Sequence, residues 1–206
     1  SDKKYFKIKR FDAIKNQNGA LGCLCSHFEI IKENINKPYV IVIEDDLILN
    51  DTIINIYNII NLLIKNISKW TIFNGTPTFY SFKQKKIVNS KIENTPFVNI
   101  NWGQTTSFMI YSNKCYNKLI TLLEKEKVKF NTPIDILISK NYIQTTYSYG
   151  NIFYQREDWS DIEKRDNHGI KYLDYQKSQE ILRMDDIKQC IMNKTIDYTI
   201  GIYTIF

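Results

Sequence analysis

The chain of 206 residues is 43% apolar and 14% aromatic with a formal charge of +6, an ordinary globular composition with enough apolar surface for one packed domain. Its lysines are scattered among Ile and Asn without a dense basic run or an aromatic-interleaved stripe, which argues against a nucleic-acid partner and leaves peripheral contact with an anionic membrane surface open. No apolar stretch approaches about 18 residues, so no membrane span is expected, and Cys23, Cys25, Cys115 and Cys190 form neither a CxxC pair nor a zinc spacing with His27 and His168.

After Asn18-Gly19, the residues Leu21, Leu24, Phe28, Ile31 and Ile35 recur at helical spacing and predict a first amphipathic helix ending before Pro38. The run Tyr39-Val40-Ile41-Val42-Ile43 then reads as a strand of a sheet covered on both faces. Asp51 caps a predicted second helix with Ile53, Ile56, Tyr57, Ile60, Leu63 and Ile64 as its buried stripe, and Trp70 to Phe73 forms the next strand. Gly75 to Gln104, with Pro77 and Pro96, is a long loop or hairpin. A strand over Thr106 to Tyr111 leads to a helix capped by Ser112 that carries Tyr116, Leu119, Ile120 and Leu123. Thr132 as N-cap, Pro133 at the first position and Asp135 at the third open another helix, and Tyr142 to Tyr149 alternates like an edge strand. Gly150 to Gly169 reads as a polar loop, Ile181 to Met192 as a helix, and Tyr198 to Phe206 as a final apolar segment. The alternation of helix and strand predicts an α/β fold, with residues 1–170 forming the domain and 171–206 a helix-and-strand appendage packed on it.

The most telling stretch is the abrupt passage from the apolar strand into Glu44-Asp45-Asp46. Ligands of open α/β sheets bind at the carboxyl ends of strands, and three adjacent negative charges there call for a counter-charge. Oxygen-only ligands suit Mg²⁺ or Mn²⁺ better than zinc. The plain rival is a strand followed by a solvated acidic turn.

Gly22-Cys23-Leu24-Cys25-Ser26-His27 followed by Tyr39 to Asp46 resembles the G-C-x-x-S-H … E-D-D signature of glycosyltransferase family 25, whose members include lipopolysaccharide and procollagen galactosyltransferases. Arg10 to Ile14 is similar to the short segment before that signature, Trp102 to Ser112 to the family's G-T-x-x-Y-x-I-S strand, Pro133-Ile134-Asp135 to its P-x-D turn, and Ser160-Asp161-Ile162 to its S-D-I. The sequence departs in lacking the family's usual opening strand of the type V-I-N-L with its Arg-x-x-Arg, and in replacing a Gly-Thr pair by Gln104-Thr105-Thr106.

The resemblance implies a GT-A-like, Rossmann-like domain with a mixed central sheet. It implies inverting transfer of a hexose, galactose or glucose, from a UDP-sugar to a glycan or glycoprotein acceptor, with Mn²⁺ or Mg²⁺ as cofactor. The E-D-D triplet would serve as the D-x-D element that neutralises the departing diphosphate. In an extended chain Glu44 and Asp46 share one face, so Asp46 is the expected principal metal ligand, with Glu44 toward the ribose or metal-bound water and Asp45 toward the sugar or a backbone N–H. Asp135, matching the P-x-D acid, is the candidate base for the acceptor hydroxyl; the alternative is a capping-box partner of Thr132. His27 and Ser26 are expected to act structurally near the E-D-D turn, while Trp102, Gln104 and Trp159 are candidates for sugar binding or, for the tryptophans, core packing. Free thiols and the absence of an apolar signal core in Ser1-Asp2-Lys3-Lys4 fit a cytoplasmic location, in a bacterium or in the host cell of a virus, and the Ile, Asn and Lys content fits an AT-rich genome. The competing functions are a catalytically degenerate carbohydrate-binding or scaffold module and a metal-dependent phosphoryl-transfer enzyme, the latter disfavoured by the lack of a second acidic cluster or a basic groove.

Overall fold

The computed structural model describes residues 6–49, 51–77, 87–101, 103–147, 152–155, 159–160, 165–166 and 200–205. In chain order the elements are β1 (Phe6–Phe11), α1 (Gly19–Glu33), β2 (Tyr39–Glu44), β3 (Leu47–Leu49), α2 (Ile53–Lys65), β4 (Ile72–Asn74), β5 (Ile87–Ile92), β6 (Thr95–Ile100), β7 (Phe108–Ser112), α3 (Tyr116–Val128), α4 (Ile134–Asn141), β8 (Gln144–Tyr147), β9 (Phe153–Gln155), β10 (Trp159–Ser160), β11 (Arg165–Asp166) and β12 (Ile200–Ile205).

Among the described residues, eight strands form one mixed sheet in the order β1-β12-β2-β7-β4-β8-β6-β5. β1, β12 and β2 run parallel, β7 is antiparallel to both β2 and β4, β8 is parallel to β4, and the β5–β6 hairpin adds on antiparallel to β8. The fold is thus the α/β, Rossmann-like arrangement expected. Small two-stranded ladders join β3 to β9 and β10 to β11.

Alternation along the central strands builds two cores. Val40 and Val42 of β2, Met109 and Tyr111 of β7 and Ile72 of β4 face α1, α3 and α4. The intervening Ile41, Ile110, Phe108 and Phe73 face α2, whose Ile56, Ile59, Ile60 and Leu63 cover that side. Period-2 strands carry the two sets because both faces are apolar, and each fully buried Ile, Leu or Phe contributes about 1.5–3 kcal/mol. On the α2 side Phe73 meets Phe97 and Phe108 edge-on at 6.3 and 6.4 Å, and Phe108 stacks on Phe153 at 4.1 Å.

Several local expectations are corrected. α1 ends at Glu33 with Asn34 as C-cap, leaving Ile35 exposed beyond the helix. Thr52, not Asp51, caps α2: its hydroxyl accepts from Asn55 N at 3.3 Å, while Asp51 accepts from Thr52 N and Asn55 Nδ2. Ser112 does not cap α3; it closes β7 with its hydroxyl donating to Thr71 O at 2.8 Å, and α3 starts after Cys115. α4 follows Pro133 with no side-chain cap, so Thr132 and Asp135 form no capping box. β8 is interior rather than an edge, because the β5–β6 hairpin pairs along its outer side. β1, unforeseen as a strand, lies at the sheet edge, and the final apolar segment supplies β12 between β1 and β2. The predicted helix over 181–192, Trp102, and most of 150–169 lie outside the described residues.

Candidate active site

The parallel direction of β2 and β4 brings their carboxyl ends to one edge of the sheet, and the antiparallel β7 starts there. Glu44 closes β2, its N–H donating to Ser107 O at 2.9 Å across the ladder. Because it continues the register of Val40 and Val42, its side chain emerges on the α1 face, where α1 presents Cys23 and His27 four residues apart on one side of the helix.

The Glu44 carboxylate is consequently turned inward. Its Oε1 accepts from Thr106 Oγ1 at 2.7 Å, lies 3.3 Å from His27 Nε2 and receives the Cys23 thiol at 3.8 Å. His27 is wholly buried and its Nδ1 is 2.9 Å from the Tyr111 hydroxyl, while the Glu44 side chain retains 19% exposure. Burial alone would raise the Glu44 carboxyl, but the hydrogen bond and charge of His27, with Thr106 and Cys23, hold it below the ordinary carboxylate range. The same burial, reinforced by Glu44, pushes the Cys23 thiol well up, and burial likewise keeps the Tyr111 phenol protonated.

Asp45 and Asp46 follow in a turn, Asp45 exposed and Asp46 half-buried. The extended alternation that would put Glu44 and Asp46 on one face stops at Glu44, because Asp45 and Asp46 form a turn before β3.

Upstream, the start of α1 is locked to the loop after β1. Asn18 caps the helix by accepting from Ala20 N and Leu21 N at 3.1 and 3.3 Å. Ser26 donates its hydroxyl to Gly22 O at 2.9 Å and accepts from Ile14 N at 2.9 Å. Gly22 permits this approach, since a Cβ there would stand 2.6 Å from Ile14 O. Ser26 and His27 therefore tie the helix to the loop on one side and to the strand end on the other.

The loop 103–107 forms the facing wall. Gly103 O accepts from Ser139 Oγ at 2.8 Å and Gln144 Nε2 at 3.0 Å, and Gln144 Oε1 accepts from Asn74 Nδ2 at 2.9 Å. Thr105 adopts φ 69°, a left-handed conformation costly for a β-branched residue. It is held there from three directions: Asn74 Nδ2 donates to its carbonyl at 3.1 Å, its hydroxyl donates to Thr76 O, and its N–H donates to the Asp135 carboxylate. The strain positions Thr106 to reach Glu44. The sequence reading gave no site role to Cys23, Asn74, Thr105, Thr106, Tyr111 or Gln144; the signals available were the i, i+4 spacing of Cys23 and His27 and the place of Thr105, Thr106 and Tyr111 in the Trp102 to Ser112 segment.

Asp135, in the first turn of α4, accepts from Ile136 N at 2.7 Å as well as from Thr105. Burial raises its carboxyl above the ordinary value, opposed by these backbone donors and reinforced by the nearby charge of Glu44. Gln104 is half-buried with an Oε1 that accepts no hydrogen bond, while the side chain of Trp159, like the whole of Trp102, lies outside the described residues.

A mixed sheet sandwiched by helices, with an acidic strand end facing a strained polar loop and a partly desolvated aspartate, defines a Rossmann-like α/β domain. The family model for glycosyltransferase family 25 (LPS biosynthesis protein) matches residues 2–150, and the chain belongs to that family. It is accordingly a glycosyltransferase, acting between a sugar donor and an acceptor. No curated protein matches the chain. Among the described residues no helix is long and apolar enough to cross a membrane.

Proposed function

We propose that the protein transfers a hexose, galactose or glucose, from a UDP-sugar to a glycan or glycoprotein hydroxyl with inversion, and that a divalent cation, Mn²⁺ or Mg²⁺, assists. The observation that carries this reading is the meeting of the β2 carboxyl end, the loop 103–107 and Asp135 at one sheet edge. With Glu44 held inward by Thr106, His27 and Cys23, Asp46 is the assigned cation ligand and Asp45 its neighbour toward the donor. Two adjacent carboxylates in a turn suit such a cation in donor type, being hard oxygen ligands. The cation would supply charge neutralisation for the departing diphosphate.

Asp135 is the assigned base. Its raised affinity for a proton suits it to take one from an acceptor hydroxyl better than a fully solvated aspartate would. Gln104 is the assigned sugar-binding amide, together with Trp102. The test is UDP release from UDP-galactose and UDP-glucose in the presence of Mn²⁺ and candidate glycan acceptors, with the anomeric configuration of the product read by NMR. Release that depends on Mn²⁺, disappears in Asp46→Ala and yields an inverted linkage supports the reading. Tight UDP-sugar binding without any turnover would instead favour a carbohydrate-binding member that has lost catalysis.

A further inference from the structure

We infer that Cys23, His27 and Glu44 form a second metal site, distinct from the Asp46 turn, that takes Zn²⁺ or a similarly thiophilic divalent ion. The three donor atoms, one sulfur, one nitrogen and one oxygen, all lie within 4.8 Å of one another. One separation is already that of a coordination polyhedron, Nε2 to Oε1 at 3.3 Å, and Sγ to Oε1 at 3.8 Å is slightly longer. A tetrahedral zinc with Zn–S near 2.3 Å and Zn–N and Zn–O near 2.0–2.1 Å requires donor separations of about 3.3–3.6 Å. Small side-chain adjustments close the remaining gap.

Charge and setting agree. A thiolate and a carboxylate together balance a divalent cation, so the loaded site is neutral in a place where an uncompensated charge would be costly. Binding sends the Cys23 proton to solvent and leaves the thiolate as ligand. On binding, Nε2 of His27 would give up the proton it shares with Glu44 and offer its lone pair to the ion, leaving the ring proton on Nδ1, which faces the Tyr111 hydroxyl at 2.9 Å. That hydroxyl is the outer-shell partner that fixes the ring of a metal-bound histidine. Cys23 and Glu44 are both part-exposed, with 19% of the Glu44 side chain accessible. Sulfur and imidazole donors favour zinc over Mg²⁺ or Mn²⁺, so the two sites differ in the ion they select. An ion here would clamp α1 to the end of β2 immediately before Asp45 and Asp46.

The test uses the full chain freed of metal by a chelator and titrated with Zn²⁺ and with Co²⁺ as a spectroscopic probe. The expected result is one zinc per chain, and a cobalt complex with thiolate-to-metal charge-transfer absorption that Zn²⁺ abolishes and equal Mg²⁺ does not. Cys23→Ser should remove that absorption and weaken zinc binding at least tenfold, whereas Cys25→Ala, Cys115→Ala and Cys190→Ala, made singly, should each keep it. Absence of the absorption in the native chain, its persistence in Cys23→Ser, or its loss in a variant of another cysteine would overturn the assignment. Because the readout is metal binding and not sugar transfer, it stands or falls independently of the Asp46 assignment.

Discussion

Replacing Gly22 by alanine sets two effects of known size against each other. Gly22 lies in the first turns of α1, where alanine normally improves a helix by about 1 kcal/mol over glycine. Here the added Cβ would stand 2.6 Å from Ile14 O, against 3.4 Å for ordinary contact, and the obstacle is backbone rather than a flexible side-chain tip. Overpacking of this kind costs about 1–3 kcal/mol. If the loop moves away, the Ile14 N to Ser26 Oγ hydrogen bond goes with it, a further loss of about 0.5–1.5 kcal/mol. The steric side wins, and the expected net destabilisation is about 1–3 kcal/mol. Urea unfolding followed by far-UV circular dichroism should show a lower midpoint with an unchanged slope. Ser26→Ala should cost less in the Gly22→Ala background than in the native chain, because the bond it removes is already weakened. A stabilisation of about 1 kcal/mol in Gly22→Ala, the outcome for an unobstructed helical glycine, would refute the close approach of loop and helix.

Glu44→Gln should destabilise by about 1.5–3 kcal/mol at neutral pH, the size of a charge-assisted hydrogen bond. Since the folded Glu44 carboxyl is held below its ordinary value, that stabilisation is present above the unfolded value and fades as pH falls through the folded one. Parallel urea titrations of the two proteins should therefore converge in acid, and a pH-independent difference would contradict the assignment. Asp135→Asn should abolish transfer while leaving UDP-sugar affinity within a few-fold, as calorimetry would show. In the native enzyme kcat/KM should fall on the acid side at a pH above the ordinary carboxylate range, because the Asp135 carboxyl is raised; an acid limb at the ordinary value would argue against that base. Gln144→Leu removes the amide joining Gly103, Ser139 and Asn74, leaves buried polar atoms unpaired, and should lower stability by about 1–3 kcal/mol by the same urea measurement.

The fold class was legible in the sequence because it rests on local periodicity: Leu24, Phe28 and Ile31 at helical spacing and the unbroken run from Val40 to Ile43 state their burial without reference to any partner. The abrupt passage into Glu44, Asp45 and Asp46 likewise marked the carboxyl end of β2. Helix starts were less readable, since Asp51 and Thr52 are neighbours of similar capping ability, and Ser112 is taken up by β7 so that α3 starts only after Cys115. The place of β8 and β12 in the sheet depends on pairings made far along the chain. The tertiary structure alone decided that Glu44 faces Cys23, His27 and Thr106, that Thr105 is bent to deliver Thr106, and that Asp135 is tied to the loop. Spacing along one strand or helix fixes which face a side chain leaves from. What it meets there is set by how separate elements pack, and hydrogen bonds and pKa values follow from those meetings.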